Sequence, residues 1–140
     1  MSGQAGAPFT IGRVSRGAAY GDYDGDGKLD LLVNNNRGSP ELLHNDGDSG
    51  SHWIQIALRG TTSNRDAIGA EVTLRAGGMT QRARVRCGSS YCSQSMLPLH
   101  FGLGAATHMD SLEIRWPSGR VERRRHLPVD TRVRLEEGQG

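Results

Sequence analysis

Cysteine, lysine and aromatic residues are all scarce in this chain of 140 residues, which has two cysteines, one lysine (Lys28), two tryptophans, three tyrosines and two phenylalanines. Two cysteines, Cys87 and Cys92, with no histidine pair beside them cannot build a structural zinc site, which needs four ligands. They leave open a disulfide closing a short loop in an oxidising compartment, or two free thiols. An aromatic content of 5% disfavours single-stranded nucleic acid as a partner, because such binders stack bases on aromatic rings. No run approaches 18 apolar residues, so no membrane-spanning helix is expected. The stretch from Met1 to Pro8 has neither a basic region nor an apolar one and is no signal peptide. The chain is therefore expected to be cytoplasmic, or the mature or excised part of a longer secreted protein.

What is present is glycine, twenty of them, and short runs in which apolar and polar residues alternate. Ile54, Ile56 and Leu58 share one face of their run; so do Ala70, Val72 and Leu74, then Ala83, Val85 and Cys87. Leu112 to Trp116 and Thr131 to Leu135 repeat the pattern. Period-two alternation in short runs marks half-buried antiparallel strands. Turn signals fall between them at Arg59-Gly60, Ala76-Gly77-Gly78 and Pro117-Ser118-Gly119, the last joining two alternating runs as a hairpin. Six to eight strands fit after residue 51, the pattern of a β-sandwich or barrel.

Residues 1–50 read differently. They carry four basic groups against seven acidic, a net of −3, whereas residues 51–140 carry thirteen against eight, a net of +5. Three short strands, Gly17–Tyr20, Leu29–Asn34 and Glu41–His44, are expected here, followed by the polar linker 45–51. Three short strands cannot bury a core alone, and their exposed edges invite self-association.

Between the first two strands lies Asp22-Tyr23-Asp24-Gly25-Asp26-Gly27-Lys28-Leu29-Asp30. Carboxylates at positions 1, 3, 5 and 9, with glycine at 6, form the pattern of a calcium loop. Calcium takes six to eight hard oxygen ligands at tolerant angles, whereas magnesium keeps its waters and demands an octahedron. The expected ligands are Asp22, Asp24, Asp26 and Asp30, with Lys28 giving its carbonyl and pointing its side chain to water. A helical EF-hand needs glutamate at position 12, where this chain has Val33, so the loop sits between strands. Asn45-Asp46-Gly47-Asp48 could hold a second ion, but a plain Asx turn is favoured there.

The stretch Arg16 to Val33 resembles an FG-GAP/VCBS-type repeat. Residues Ser63 to Ala70, Gly88 to Tyr91, Ser93 to Ser95, Leu99 to Gly104 and Trp116 to Arg120 resemble the ASPIC/UnbV domain, which follows such repeats in chains of the cartilage acidic protein-like family. The resemblance implies an extracellular or periplasmic β module without a defined activity, calcium in the acidic loop, and an incomplete propeller blade from a larger protein. Cysteines flanking Gly88 to Tyr91 depart from the family pattern.

Other candidates are weaker. Asn64, Arg65 and Asp66 form a polar loop that could hold a ligand. Arg82, Arg84 and Arg86 share a strand face and, with Arg123, Arg124 and Arg125, could meet an acidic polysaccharide or nucleic acid. A triad of Ser90, His100 and Asp110 has no supporting spacing. His44 and the other histidines show no metal spacing. The expected fold is all-β: a calcium-loop hairpin from an incomplete propeller-type repeat (residues 1–50), then an antiparallel ASPIC/UnbV-like β-sandwich (51–140). The expected function is that of a non-catalytic, calcium-binding β module for extracellular adhesion or for interaction with a protein or carbohydrate. A polyanion binder is the alternative, and a hydrolase with structural calcium the weakest.

Overall fold

The computed structural model describes residues 11–47 and 50–139. All regular elements among them are strands: β1 (Ser15–Gly21), β2 (Asp30–Asn35), β3 (Glu41–Leu43), β4 (His52–Arg59), β5 (Glu71–Ala76), β6 (Met79–Arg84), β7 (Leu99–Gly104), β8 (Ser111–Arg115), β9 (Val121–Arg124) and β10 (Thr131–Glu136). They form three sheets, ordered β1-β2-β3, β10-β4-β7 and β6-β5-β8-β9. No helix among the described residues is long and apolar enough to cross a membrane.

The chain divides into two compact units, and the division is not a single cut near residue 50. Among the described residues, the first unit joins 11–46 to Gly88–Met96, and the second holds the rest. Segment 88–96 returns to the first sheet for a reason visible in its serines. β1 is an edge strand, and the amides of Ala18 and Tyr20 donate to Ser93 Oγ at 3.0 Å and Ser95 Oγ at 3.3 Å. The Met96 amide donates to the Tyr20 carbonyl at 3.0 Å. Two hydroxyls spaced by two residues thus serve alternate amides of the strand, which an unpaired edge would offer to a second chain. Gly17 allows the approach, since a Cβ there would lie 2.9 Å from the Cys92 carbonyl oxygen. The open edge expected on this side of the hairpin is therefore covered.

In the second unit the core-facing side chains of both sheets meet in one cluster that includes Ile54, Ile56, Phe101, Val72, Leu74, Leu112, Ile114 and Trp116. Fully burying side chains of this size stabilises by about 1.5–3 kcal/mol each. The Gln81 side-chain amide donates to the Gly102 carbonyl at 2.6 Å, tying β6 to β7. The hairpin at Trp116 to Arg120 forms, with the Trp116 amide donating to the Arg120 carbonyl at 2.8 Å and Gly119 at φ 90°.

Two expectations need correction. The sandwich is not wholly antiparallel, because β10 runs parallel to β4, with Thr131 opposite Ile54 and Glu136 opposite Arg59. Asp130 fastens the start of β10 beside β4: its amide donates to the Trp53 carbonyl at 2.7 Å, and its carboxylate accepts the Trp53 amide at 3.1 Å and pairs with His52 Nδ1 at 2.7 Å. The alternating run of Ala83, Val85 and Cys87 is not one strand, because β6 spans Met79–Arg84. Val85 is buried beyond its end and Cys87 is exposed, because the chain leaves the second unit there.

Gly60 follows β4 where the chain doubles back, and a Cβ at this position would sit 2.2 Å from the Asn64 carbonyl oxygen and 2.8 Å from that of Ser63. Backbone must move to admit it. Gly60→Ala should cost about 3 kcal/mol, measured as a drop in the urea midpoint with unchanged slope. A drop under a third of that size would show that the loop yields freely.

Candidate functional site

The loop between β1 and β2 is built by its own aspartates. Asp22 accepts the Gly25 amide on one oxygen at 2.8 Å and the Gly27 amide on the other at 3.1 Å. Asp24 accepts the Asp26 amide at 3.2 Å, and Asp26 accepts the Lys28 amide at 2.8 Å. Each carboxylate thus bends the backbone around itself, and Gly25 and Gly27 take φ of 80° and 86°, which side chains resist. Asp30 opens β2 opposite Gly21 and is only 3% exposed. Its two oxygens accept the amides of Tyr23 and Asn45, both at 2.9 Å, so it binds the loop to the chain beyond β3.

Carboxylate oxygens of Asp22, Asp24 and Asp30 lie within 4.8 Å of one another. Such crowding of negative charge favours a cation. The donor set is hard oxygen throughout. Asp26 falls in a second group, with Asp24 and His44. Lys28 does not point to water as expected: its Nζ returns to Asp26 at 2.9 Å, and the Lys28 amide and ammonium hold the Asp26 carboxyl below its ordinary range. His44, which showed no sequence spacing to a metal site, is delivered by β3. Its Nε2 lies 3.0 Å from Asp24 and 3.9 Å from Asp30, and the Asp24 hydrogen bond raises its pKa. Only strand pairing could reveal it, since fourteen residues separate His44 from Asp30 in sequence.

Beside the loop, Ala19, Tyr20, Leu32, Leu42 and Met96 line a shallow, largely apolar depression of about 290 Å³. Tyr20, Leu32 and Leu42 are each about half exposed, and Tyr23 is 75% exposed.

The remaining candidates separate. Asn64 is spent on structure: its side chain accepts the Ile68 amide at 2.8 Å and donates to the Ile68 carbonyl at 2.9 Å. Arg65 and Asp66 stay exposed. Arg82 and Arg84 lie exposed on β6, and Arg86 lies beyond its end. Arg124 turns inward onto Glu122 at 2.9 Å, while Arg123 faces outward and pairs with Glu113 at 2.8 Å. Cys87, at the end of a segment of the second unit, and Cys92, in the first, are both exposed thiols. Ser90 lies in the serine-rich turn of the first unit. In the second unit, His100 stacks on Trp53 with ring centroids 6.1 Å apart, and Asp110 pairs with His108 at 3.5 Å. Asp48 lies outside the described residues.

A β hairpin closed by an aspartate loop, followed by a two-sheet β unit, defines a class of repeat-plus-sandwich proteins. The chain belongs to the ASPIC and UnbV family, whose pattern matches residues 60–140, and residues 9–72 match an FG-GAP-like repeat. It is similar to cartilage acidic protein 1 of Xenopus tropicalis, 34% identical over 109 residues, which is 75% of this chain and 16% of that protein. The mouse protein of the same name is 33% identical over 110 residues (75% and 17%), and the human one 32% over 110 residues (75% and 16%). The chain thus spans about a sixth of the length of these relatives.

Proposed function

We propose that the chain is a non-catalytic extracellular interaction module whose first unit is stabilised by one calcium ion. The convergence of Asp22, Asp24 and Asp30 carries this reading. These three, with the Lys28 carbonyl and Asp26 after it turns from Lys28 Nζ, would hold the ion. Calcium would neutralise the crowded carboxylates and so stiffen the β1–β2 turn. The half-exposed apolar strip beside the loop supports a role in binding a partner, because such patches on folded proteins mark interaction surfaces. The engagement of His100 with Trp53 and of Asp110 with His108 supports a non-catalytic reading, and similarity to cartilage acidic protein 1 supports an extracellular setting.

A thermal melt with calcium and with chelator tests the proposal. Extracellular calcium modules bind with dissociation constants of about 10⁻⁴–10⁻³ M. At ten times that concentration, linkage contributes about 1.4 kcal/mol, which raises the midpoint of so small a unit by roughly 5–10 °C. Asp24→Ala should abolish the rise. A melt indifferent to calcium would sink the proposal.

A further inference from the structure

The outward face of sheet β6-β5-β8-β9 carries charge in register. One row crosses all four strands as Arg82–Thr73–Glu113–Arg123, and the next as Arg84–Glu71–Arg115–Val121. Arg75 stands between Thr80 and Ser111 in the row beyond. The opposite face of the same strands is the buried core, with Val72, Leu74, Leu112 and Ile114, so these polar side chains share the solvent side. Five guanidiniums therefore stand among two carboxylates. Glu71 takes Arg84 at 3.3 Å and Glu113 takes Arg123 at 2.8 Å. Arg75, Arg82 and Arg115 make no ion pair or side-chain hydrogen bond among the described residues. Arg75, Arg82 and Arg123 surround a shallow depression of about 360 Å³ floored by Thr73, Ser111 and Glu113.

From this arrangement we infer that the face is a binding surface for a linear sulfated glycan. The guanidinium fork matches sulfate and carboxylate geometry with paired hydrogen bonds. Strands about 4.8 Å apart place Arg82 and Arg123 roughly 14 Å from one another across the row, a span suited to successive anionic groups of an extended chain. The carboxylate and hydroxyls between them are acceptors for sugar hydroxyls. Nucleic acid fits less well, because no aromatic residue stands in these rows for a base to stack on. The surface uses none of the residues of the aspartate loop, so binding should persist in chelator, and its failure would leave the calcium reading untouched.

The test is titration of the whole chain with a heparin-derived dodecasaccharide at physiological salt, with and without chelator. The triple variant Arg75→Ser/Arg82→Ser/Arg123→Ser should bind about tenfold more weakly or worse. The control Arg37→Ser/Arg132→Ser/Arg134→Ser removes equal charge outside this sheet, and should change affinity less than about threefold. Should the serine triple melt early, Arg75→Lys/Arg82→Lys/Arg123→Lys keeps the charge and removes the fork, and should still weaken binding severalfold. Equal losses in face and control variants would reduce the effect to net charge and overturn the inference. So would unchanged binding in the lysine triple, or oligothymidylate of matched charge binding as tightly as the glycan.

Discussion

Glu137→Ala should lower the stability of the second unit by about 3 kcal/mol, among the largest effects of any side chain outside the apolar core. Glu137 is 2% exposed. Its Oε2 accepts the consecutive amides of Thr61, Thr62 and Ser63 at 3.0, 3.0 and 2.7 Å. Its Oε1 accepts the hydroxyls of Ser63 and Ser118. No basic side chain among the described residues pairs with it. The carboxylate is held wholly by amide and hydroxyl dipoles, the anion-binding concavity that successive backbone amides create. It joins the loop after β4 to the β8–β9 hairpin and the end of β10. Truncation leaves three amides and two hydroxyls without their acceptor, and water reaches only the exposed ones. For a unit of this size the loss corresponds to a fall of roughly 15 °C in Tm.

The same site fixes the acid limb of stability. Burial pushes the Glu137 carboxyl up, but the hydrogen bonds from Ser118, Ser63 and Thr61 outweigh it and bring its pKa down to about 2 from an ordinary 4.5. A carboxyl depressed in the folded state contributes stability in full above its unfolded pKa and loses it as pH falls toward the folded one. Wild type should therefore weaken from pH 4.5 toward 2, and its advantage over Glu137→Ala should shrink over that window. Urea melts at pH 7, 4 and 3 read both effects. A gap between the two proteins that stays constant with pH would refute the ionic part of the argument.

Much of this architecture was legible in the sequence because strands announce themselves by period-two alternation, and Ile54, Val72, Leu112 and their neighbours do so plainly. Strand direction was not legible. Alternation is identical for parallel and antiparallel pairs, so nothing in the run Thr131 to Leu135 announced its parallel partnership with β4. Nor does alternation report a segment that changes unit, as 88–96 does. Its function as a cover for the β1 edge lies in the spacing of Ser93 and Ser95, which in sequence looks like any polar turn. The aspartate loop was the clearest local signal, since its geometry is made within nine residues. What sequence could not supply was the contribution of distant chain: His44 beside Asp24, and the Asn45 amide on Asp30. The same holds for the basic face. Arg82 and Arg84 stood out as alternating arginines, but Arg75 and Arg115 join them only through strand register, and Arg124 leaves them for Glu122.

The four loop aspartates look equivalent in sequence, yet on the proposed calcium reading their replacement should have unequal effects on affinity for the ion. Asp30→Asn should weaken binding by about a hundredfold or more, in line with removing a buried charged ligand. Asp30 is the most buried carboxylate of the converging trio, and the amides of Tyr23 and Asn45 hold its two oxygens in place. A ligand fixed in advance loses little entropy when the ion arrives. Asparagine keeps the shape and one acceptor while removing the charge, and its amide hydrogens would face one of the two donors that Asp30 now accepts from. Asp26→Asn should weaken binding by only about tenfold or less. Asp26 lies outside the trio and is already neutralised by Lys28 Nζ at 2.9 Å, so its contribution to the ion is offset by the ion pair it must leave. Lys28→Gln, which releases Asp26, should then strengthen calcium binding and raise the penalty of Asp26→Asn. Calcium titrations of the four proteins, with the double variant closing the cycle, measure that coupling directly. Equal losses for Asp30→Asn and Asp26→Asn, with no effect of Lys28→Gln, would mean that the loop rearranges into a symmetric cage on binding and that the contacts described here do not rank its ligands.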